Sequence, residues 1–404
     1  MKLEKRCTLA PEFSCTERDC GAIQMLTGVR IIEIGSFITA PLAAMMLGDL
    51  GAEVIKVERP GGDPFRRSRG GHYSPSFIAF NRNKRSIVLD LGRAEDKAML
   101  LALLEGSDVL LDNLRPGTLE NYGLDSPSLR ERNPGLIHCS ITGFGSVGPY
   151  SLRPAFDAVG QALSGISALS IDPDSPVSSG PTITDNVAGM YACYAILAAL
   201  YERKSTGQGR RLEVNMLESS MAFIQDSYVR YTQGGLAGDR FTRVATSQSF
   251  IFPCGDRTLL AIHLSTGEVF WRSLVRALGD PQLAEDPRFK SHPERVKNYS
   301  GLRDILGKHF VARERAEWTV LLEAADVPFA PIYNLAEALS DPQVEALGTV
   351  SELKHPTEGT VRSIHCPVLV DGHRPLPNMR PAPTMGEDTE DIRREVLKRD
   401  PGRK

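Results

Sequence analysis

Residues 29–57, VRIIEIGSFITAPLAAMMLGDLGAEVIKV, contain a complete strand, helix and strand. The β-branched run 29–34 stops at Gly35, and Pro41 suits the first turn of a helix, where its missing N–H costs nothing. That helix should reach Leu50, Gly51 should end it, and 53–57 should be the next strand. Outward from this unit the alternation repeats: 85–91 reads as strand, 94–105 as amphipathic helix, 109–112 as strand, 126–133 as helix and 136–141 as strand. Strands separated by roughly 10–15 helical residues predict βαβ units and an open, Rossmann-like, mostly parallel sheet.

Beyond Gly143 the pattern loosens. Helices are expected at 157–168, 185–205, 216–240, 267–278, 301–326 and 387–398, with short strands at 211–214, 249–253, 258–263 and 328–332 and a β-rich stretch at 345–370. The fold class is therefore α/β with an added smaller α+β domain. Residues 1–24 read as a frayed extension, 25–225 as the large α/β domain, 226–335 as the small α+β domain, and 336–404 as a C-terminal segment returning to the large one. Of the 404 residues 41% are hydrophobic, and 47 basic against 50 acidic side chains leave a net charge of -3. So balanced a chain has no bulk electrostatic reason to seek nucleic acid or an anionic membrane. Its seven cysteines are scattered without a C-x-x-C pair, which argues for reduced thiols rather than a disulfide scaffold or structural zinc. Residues 1–25 lack a signal peptide's apolar run, and 187–201 fall short of the ~20 residues that span a bilayer. The expected compartment is the cytoplasm.

Gly143-Phe144-Gly145-Ser146-Val147-Gly148 matches G-x-G-x-x-G in letters only, because Pro149 follows and no helix pattern begins before about 157. No P-loop, H-E-x-x-H or G-x-S-x-G occurs, and the eight histidines propose no metal site. Arg59, Arg66-Arg67, Lys84-Arg85 and Arg115 fall near predicted sheet edges. Each alone reads as surface charge; together they hint at a phosphorylated ligand. Asp157 reads as a helix N-cap, and Asp172 and Asp174 share a turn whose local chemistry does not choose between them.

Several blocks, in order from about 26 to 390, resemble the family III CoA-transferases, the carnitine/bile-acid/formyl-CoA group. They are Leu26 to Glu33, Gly51 to Pro60, Asn83 to Ile87, Asn113-Leu114-Arg115-Pro116-Gly117, Ile141 to Gly145 with Gly148-Pro149-Tyr150, and Arg153-Pro154-Ala155-Phe156-Asp157 with Gln161-Ala162. The resemblance implies an acyl-CoA thioester substrate, a carboxylic acid acceptor, no tightly bound cofactor or metal, and an interlocked homodimer. It also implies an aspartate nucleophile in a turn matched by Ile171 to Val177, which selects Asp174. By the same carry-over Ile38, Thr39, Arg59, Leu89, Asp90, Leu91, Gly92, Asn113, Leu114, Arg115, Asn121 and Phe144 would line the CoA pocket.

Three departures bear on the substrate. Ile38 stands where the formyl-CoA:oxalate branch carries a positioning glutamine, Asn121 stands where an arginine is expected, and 244–248 lack that branch's glycine-rich lid. Oxalate and formate are poor candidates for the acceptor. Two rival readings share the fold: an α-methylacyl-CoA racemase and a non-catalytic CoA-binding protein. The racemase's G-H-D-x-N-Y stretch falls on Ala155-Phe156-Asp157-Ala158-Val159-Gly160, which lacks the histidine, and the complete Asp174 turn speaks against loss of catalysis.

Overall fold

A computed structural model describes residues 24–399 except 68–71, 179, 266 and 376–378. The expected extension therefore lies, apart from Gln24, outside the described residues. The chain divides into two units, one of residues 1–154, 185–216 and 351–404, the other of 155–184 and 217–350.

The first unit is built on six parallel strands: β1 (Arg30–Ile34), β2 (Glu53–Glu58), β3 (Lys84–Val88), β4 (Val109–Asp112), β5 (Ile137–Thr142) and β6 (Arg211–Asn215). Their spatial order is β3-β2-β1-β4-β5-β6, all parallel. The order reverses between β1 and β4, where Ile34 lies opposite Asp112. Ile31, Ile32, Ile55, Leu110, Leu111, Ile137 and Cys139 are wholly buried, as expected of a parallel sheet covered on both faces. The helix Thr389–Arg399 packs Ile392 and Val396 among Leu100, Leu103 and Leu104. Arg85 of β3 is fixed by Glu395 (2.8 Å) and Glu53 (2.9 Å). The strands β10 (Val350–His355) and β11 (Gly359–Ile364) form a separate hairpin.

The second unit carries an antiparallel sheet of β7 (Ser249–Pro253), β8 (Leu259–His263) and β9 (Phe329–Pro331). Alternate residues of β7 and β8 are buried, and helices cover that face. Phe250 stacks between Phe252 and Tyr299, and Phe310 between Phe252 and Trp318, with centroids 4.6–5.7 Å apart. This aromatic row runs through a core otherwise filled mainly by leucine, isoleucine and valine.

Three expected helices are interrupted. The one expected at 301–326 is two, Tyr299–Phe310 and Arg315–Ala324, because Glu314 and Glu317 form a capping box that starts a new helix. Residues 157–168 hold Asp157–Leu163 and a 3-10 turn, Ser167–Leu169, separated at Gly165, whose φ of 83° no helix accepts. Residues 216–240 hold Met216–Phe223 and Gln225–Gly234. The division between units also differs from the expected 225/226 and 335/336 boundaries. Tyr228 Oη donates to the Ser164 carbonyl (2.8 Å), joining 155–184 to 217–350, and Arg315 pairs with Glu337 (3.2 Å), retaining the segment after 335.

Candidate active site

In the first unit the loops leaving β1 and β4 meet at the point of strand-order reversal, where open α/β sheets bind ligands. Asn113, just past β4, ties them together. Its amide donates to the Ser36 carbonyl and Thr39 Oγ1 (2.8 Å each) and accepts from Ser36 N–H (3.0 Å). Phe37 sits in the left-handed region (φ 63°) with its ring edge-on to Phe65 at 5.2 Å. A non-glycine residue held there is strained, and such strain collects at working loops. Ile38 is buried beside Leu42 and Met45, and Thr39 opens the helix Thr39–Asp49.

Arg59 and Arg115 are exposed after β2 and β4, and neither meets a carboxylate among the described residues. Leu89 to Gly92 follow β3: Leu89 is in the core with its N–H on the Glu58 carbonyl (2.9 Å), and Asp90 folds a turn by accepting Gly92 N–H (3.0 Å). Leu114 is half-buried and its N–H donates to Asp112 Oδ1 (3.1 Å), whereas Asn121 is exposed at the end of the helix Thr118–Asn121. Phe144 follows β5 and packs against Tyr150 at 6.0 Å. No helix opens between Gly143 and Asp157, so the glycine run is a loop. The residues expected to line the CoA pocket thus stand at or just past C-terminal strand ends of one sheet, Asn121 being the furthest along its loop.

Of the basic residues expected to face a phosphorylated ligand, Arg66 and Lys84 are instead buried in ion pairs. Arg66 is fully buried, forks onto both oxygens of Glu58 (2.6 and 2.7 Å) and lies 3.7 Å over the Phe77 ring. Lys84 and Lys56 each meet one oxygen of buried Glu33 at 2.7 Å. Burial alone would raise the Glu33 carboxyl, but Lys56 and Lys84 outweigh it and hold it below the usual range. Glu33 and Lys56 are charges set among the apolar residues of adjacent strands, and that pattern was a sequence signal for this network.

In the second unit the two aspartates of the turn have different surroundings. Asp172 Oδ2 pairs with Arg240 Nη1 (2.8 Å), while its Oδ1 accepts Asp174 N–H (3.2 Å). Bonding to Arg240, then to that N–H, lowers the Asp172 carboxyl. The Asp174 carboxylate is exposed and has no hydrogen bond or ion pair among the described residues. Asp157 is not the N-cap, a position held by Phe156; it is the first helical residue. Its carboxylate accepts Ile183 N–H (2.8 Å) and Gln161 Nε2 (2.6 Å). With both oxygens engaged, the group braces the start of this helix against Ile183. Arg240 was not singled out from the sequence, because nothing local marks it as the partner of a residue far back in the chain.

Among the described residues there is no cluster of three His, Cys, Asp or Glu able to hold a metal, and no helix is long and apolar enough to cross a membrane.

The family described as CoA-transferase family III matches residues 26–389. The chain is 34% identical to succinyl-CoA:glutarate CoA-transferase of Mus musculus over 96% of this chain and 89% of that one. It is 34% identical to succinyl-CoA–D-citramalate CoA-transferase of Chloroflexus aurantiacus, over 83% of this chain and 85% of that one. Among solved structures, a CaiB/BaiF family protein from Brucella suis superposes with a TM-score of 0.81 at 30% identity, covering 92% of this chain and 98% of that one.

Proposed function

The chain belongs to CoA-transferase family III, and from that premise we propose that it carries CoA from succinyl-CoA to a dicarboxylic acid with Asp174 as nucleophile. CoA transfer between an acyl-CoA and a carboxylic acid is the activity of the family and of the relatives. The names of two relatives supply the substrate class, since glutarate and D-citramalate are both dicarboxylates. The observation that carries the choice of residue is the unequal turn: Arg240 occupies Asp172, while the Asp174 carboxylate meets no described side chain.

An aligned carboxylate can do this chemistry although it is a weak nucleophile in water. Asp174 attacks the thioester carbonyl and CoA thiolate leaves, giving an aspartyl–acyl anhydride. The thiolate then attacks the aspartyl carbonyl, releasing the donor acid and leaving an aspartyl–CoA thioester. The acceptor carboxylate attacks that thioester and expels thiolate, which finally attacks the new acyl carbonyl and restores Asp174. Each tetrahedral oxyanion needs hydrogen-bond donors. In the first unit the CoA thioester is read as lying along the strand ends, with Arg59 and Arg115 offering forked donors to its phosphates.

Incubation with succinyl-CoA and glutarate in deuterated water, read by mass spectrometry, tests the proposal. New glutaryl-CoA is expected with the wild type, and a loss of at least roughly a thousandfold with Asp174→Asn. Undiminished transfer by folded Asp174→Asn would reject Asp174. In a second incubation with 2-methylacyl-CoA in place of succinyl-CoA, deuterium at C2 of the unchanged thioester would mean proton abstraction, as in a racemase. The assembly is read as a homodimer, following the family resemblance.

A further inference from the structure

The second unit contains a cleft of about 790 Å³, lined by Phe241, Phe250, Tyr299, Arg240, Arg303 and His263 among others. The guanidinium groups of Arg240 and Arg303 lie 4.6 and 5.8 Å from the centroid of the same ring, Phe241, so two cations converge on one wall. The other polar groups are committed. Tyr299 Oη donates to the Ser249 carbonyl (2.6 Å), and the His263 ring is held by Ser249 Oγ (2.7 Å) and Ser265 Oγ. Arg240 gives one nitrogen to Asp172, and among the described residues the one carboxylate near Arg303 is that of its exposed chain neighbour Asp304, at 3.5 Å. A guanidinium has five N–H donors, so both arginines keep most of theirs.

We infer that this cleft takes the remote carboxylate of a dicarboxylic acid or of its acyl group, through Arg240 and Arg303. The inference rests on Asp174 being the nucleophile. Arg240 joins the two places, because the Asp172 carboxylate it holds also holds Asp174 N–H. On this reading an acid anchored at Arg240 and Arg303 offers its second carboxylate to the turn that Arg240 braces. Two arginines suit a carboxylate's paired oxygens, and the aromatic wall suits the methylene chain between the two ends. Selection of dicarboxylates over monocarboxylates follows.

The test compares kcat/KM for glutarate and for pentanoate, which has a methyl group in place of the remote carboxylate, with succinyl-CoA as the common donor. For Arg303→Gln the glutarate-to-pentanoate ratio is expected to fall about tenfold or more, with partial recovery in Arg303→Lys. Thermal melting checks that both variants are folded. An unchanged ratio, whether both rates hold or fall together, would overturn the inference while leaving CoA transfer standing; the cleft would then serve another part of the substrates. Calorimetric titration of glutarate keeps the two readings separable. If the wild type transfers nothing, weaker glutarate binding by Arg303→Gln still supports the cleft, and equal binding rejects it.

Discussion

Asp172 and Asp174 stand two residues apart in one turn, yet one is a clamp and the other a free carboxylate. Glu33 makes the same point in the first unit, where it is useful only because two lysines reach it. Removing one partner of a buried charged group leaves the others uncompensated. Glu33→Gln should therefore cost about 3–5 kcal/mol, by analogy with other broken buried pairs. The pH dependence has a definite sign. Glu33 and Glu58 hold their protons less tightly folded than unfolded, so their contribution is complete above the ordinary 4.5 and is lost as pH falls through their lowered folded values. Denaturant midpoints from pH 7 down to 3 should fall steeply for the wild type and less steeply for Glu33→Gln. Parallel curves would mean the cluster does not govern acid stability.

At the scale of elements, the helix Thr184–Thr206 approaches the β1 loop closely enough to need a glycine. A Cβ at Gly189 would lie 2.8 Å from the Thr39 carbonyl oxygen and 3.1 Å from Leu42 Cδ2. Gly189→Val should destabilise the fold by about 1–3 kcal/mol through overpacking. Because Thr39 Oγ1 also anchors Asn113, the same change should raise KM for the CoA thioester. A variant with wild-type midpoint and KM would show that the helix is free to move. Interrupted helices carry a different lesson. Apolar periodicity alone runs through the break at 311–314, and the capping box that starts the second helix uses Glu314 rather than the serine or threonine that would mark it in sequence.

For the whole molecule, the helix Thr184–Thr206 exposes Met190, Tyr194 and Tyr201 at 54%, 70% and 79%, spaced to lie on one side. A homodimer is expected to cover that row. Sedimentation should then give the mass of two chains, and Tyr194→Glu with Tyr201→Glu should lower it; a single-chain mass for the wild type would refute the assembly.

The strand and helix alternation from 29 to 142 was legible because it is local: β-branched runs, Gly51 and Pro41 act within a few residues. The arrival of Thr39, Asn113 and Phe144 at strand ends follows from that alternation, since successive parallel strands all point one way. Charge pairing was not legible. Glu33 lies 23 and 51 positions from Lys56 and Lys84, and the Asp172–Arg240 pair spans a comparable gap. Lys84 and Arg66 therefore looked like surface cations awaiting a phosphate, and Arg240 looked like nothing in particular. Local chemistry alone decides which segments become strands and which carboxylates sit in a turn. Which charges are buried, which are spoken for, and which remain free for a substrate depends on chain segments brought together by the packing of hydrophobic faces, a choice made only when the whole chain folds.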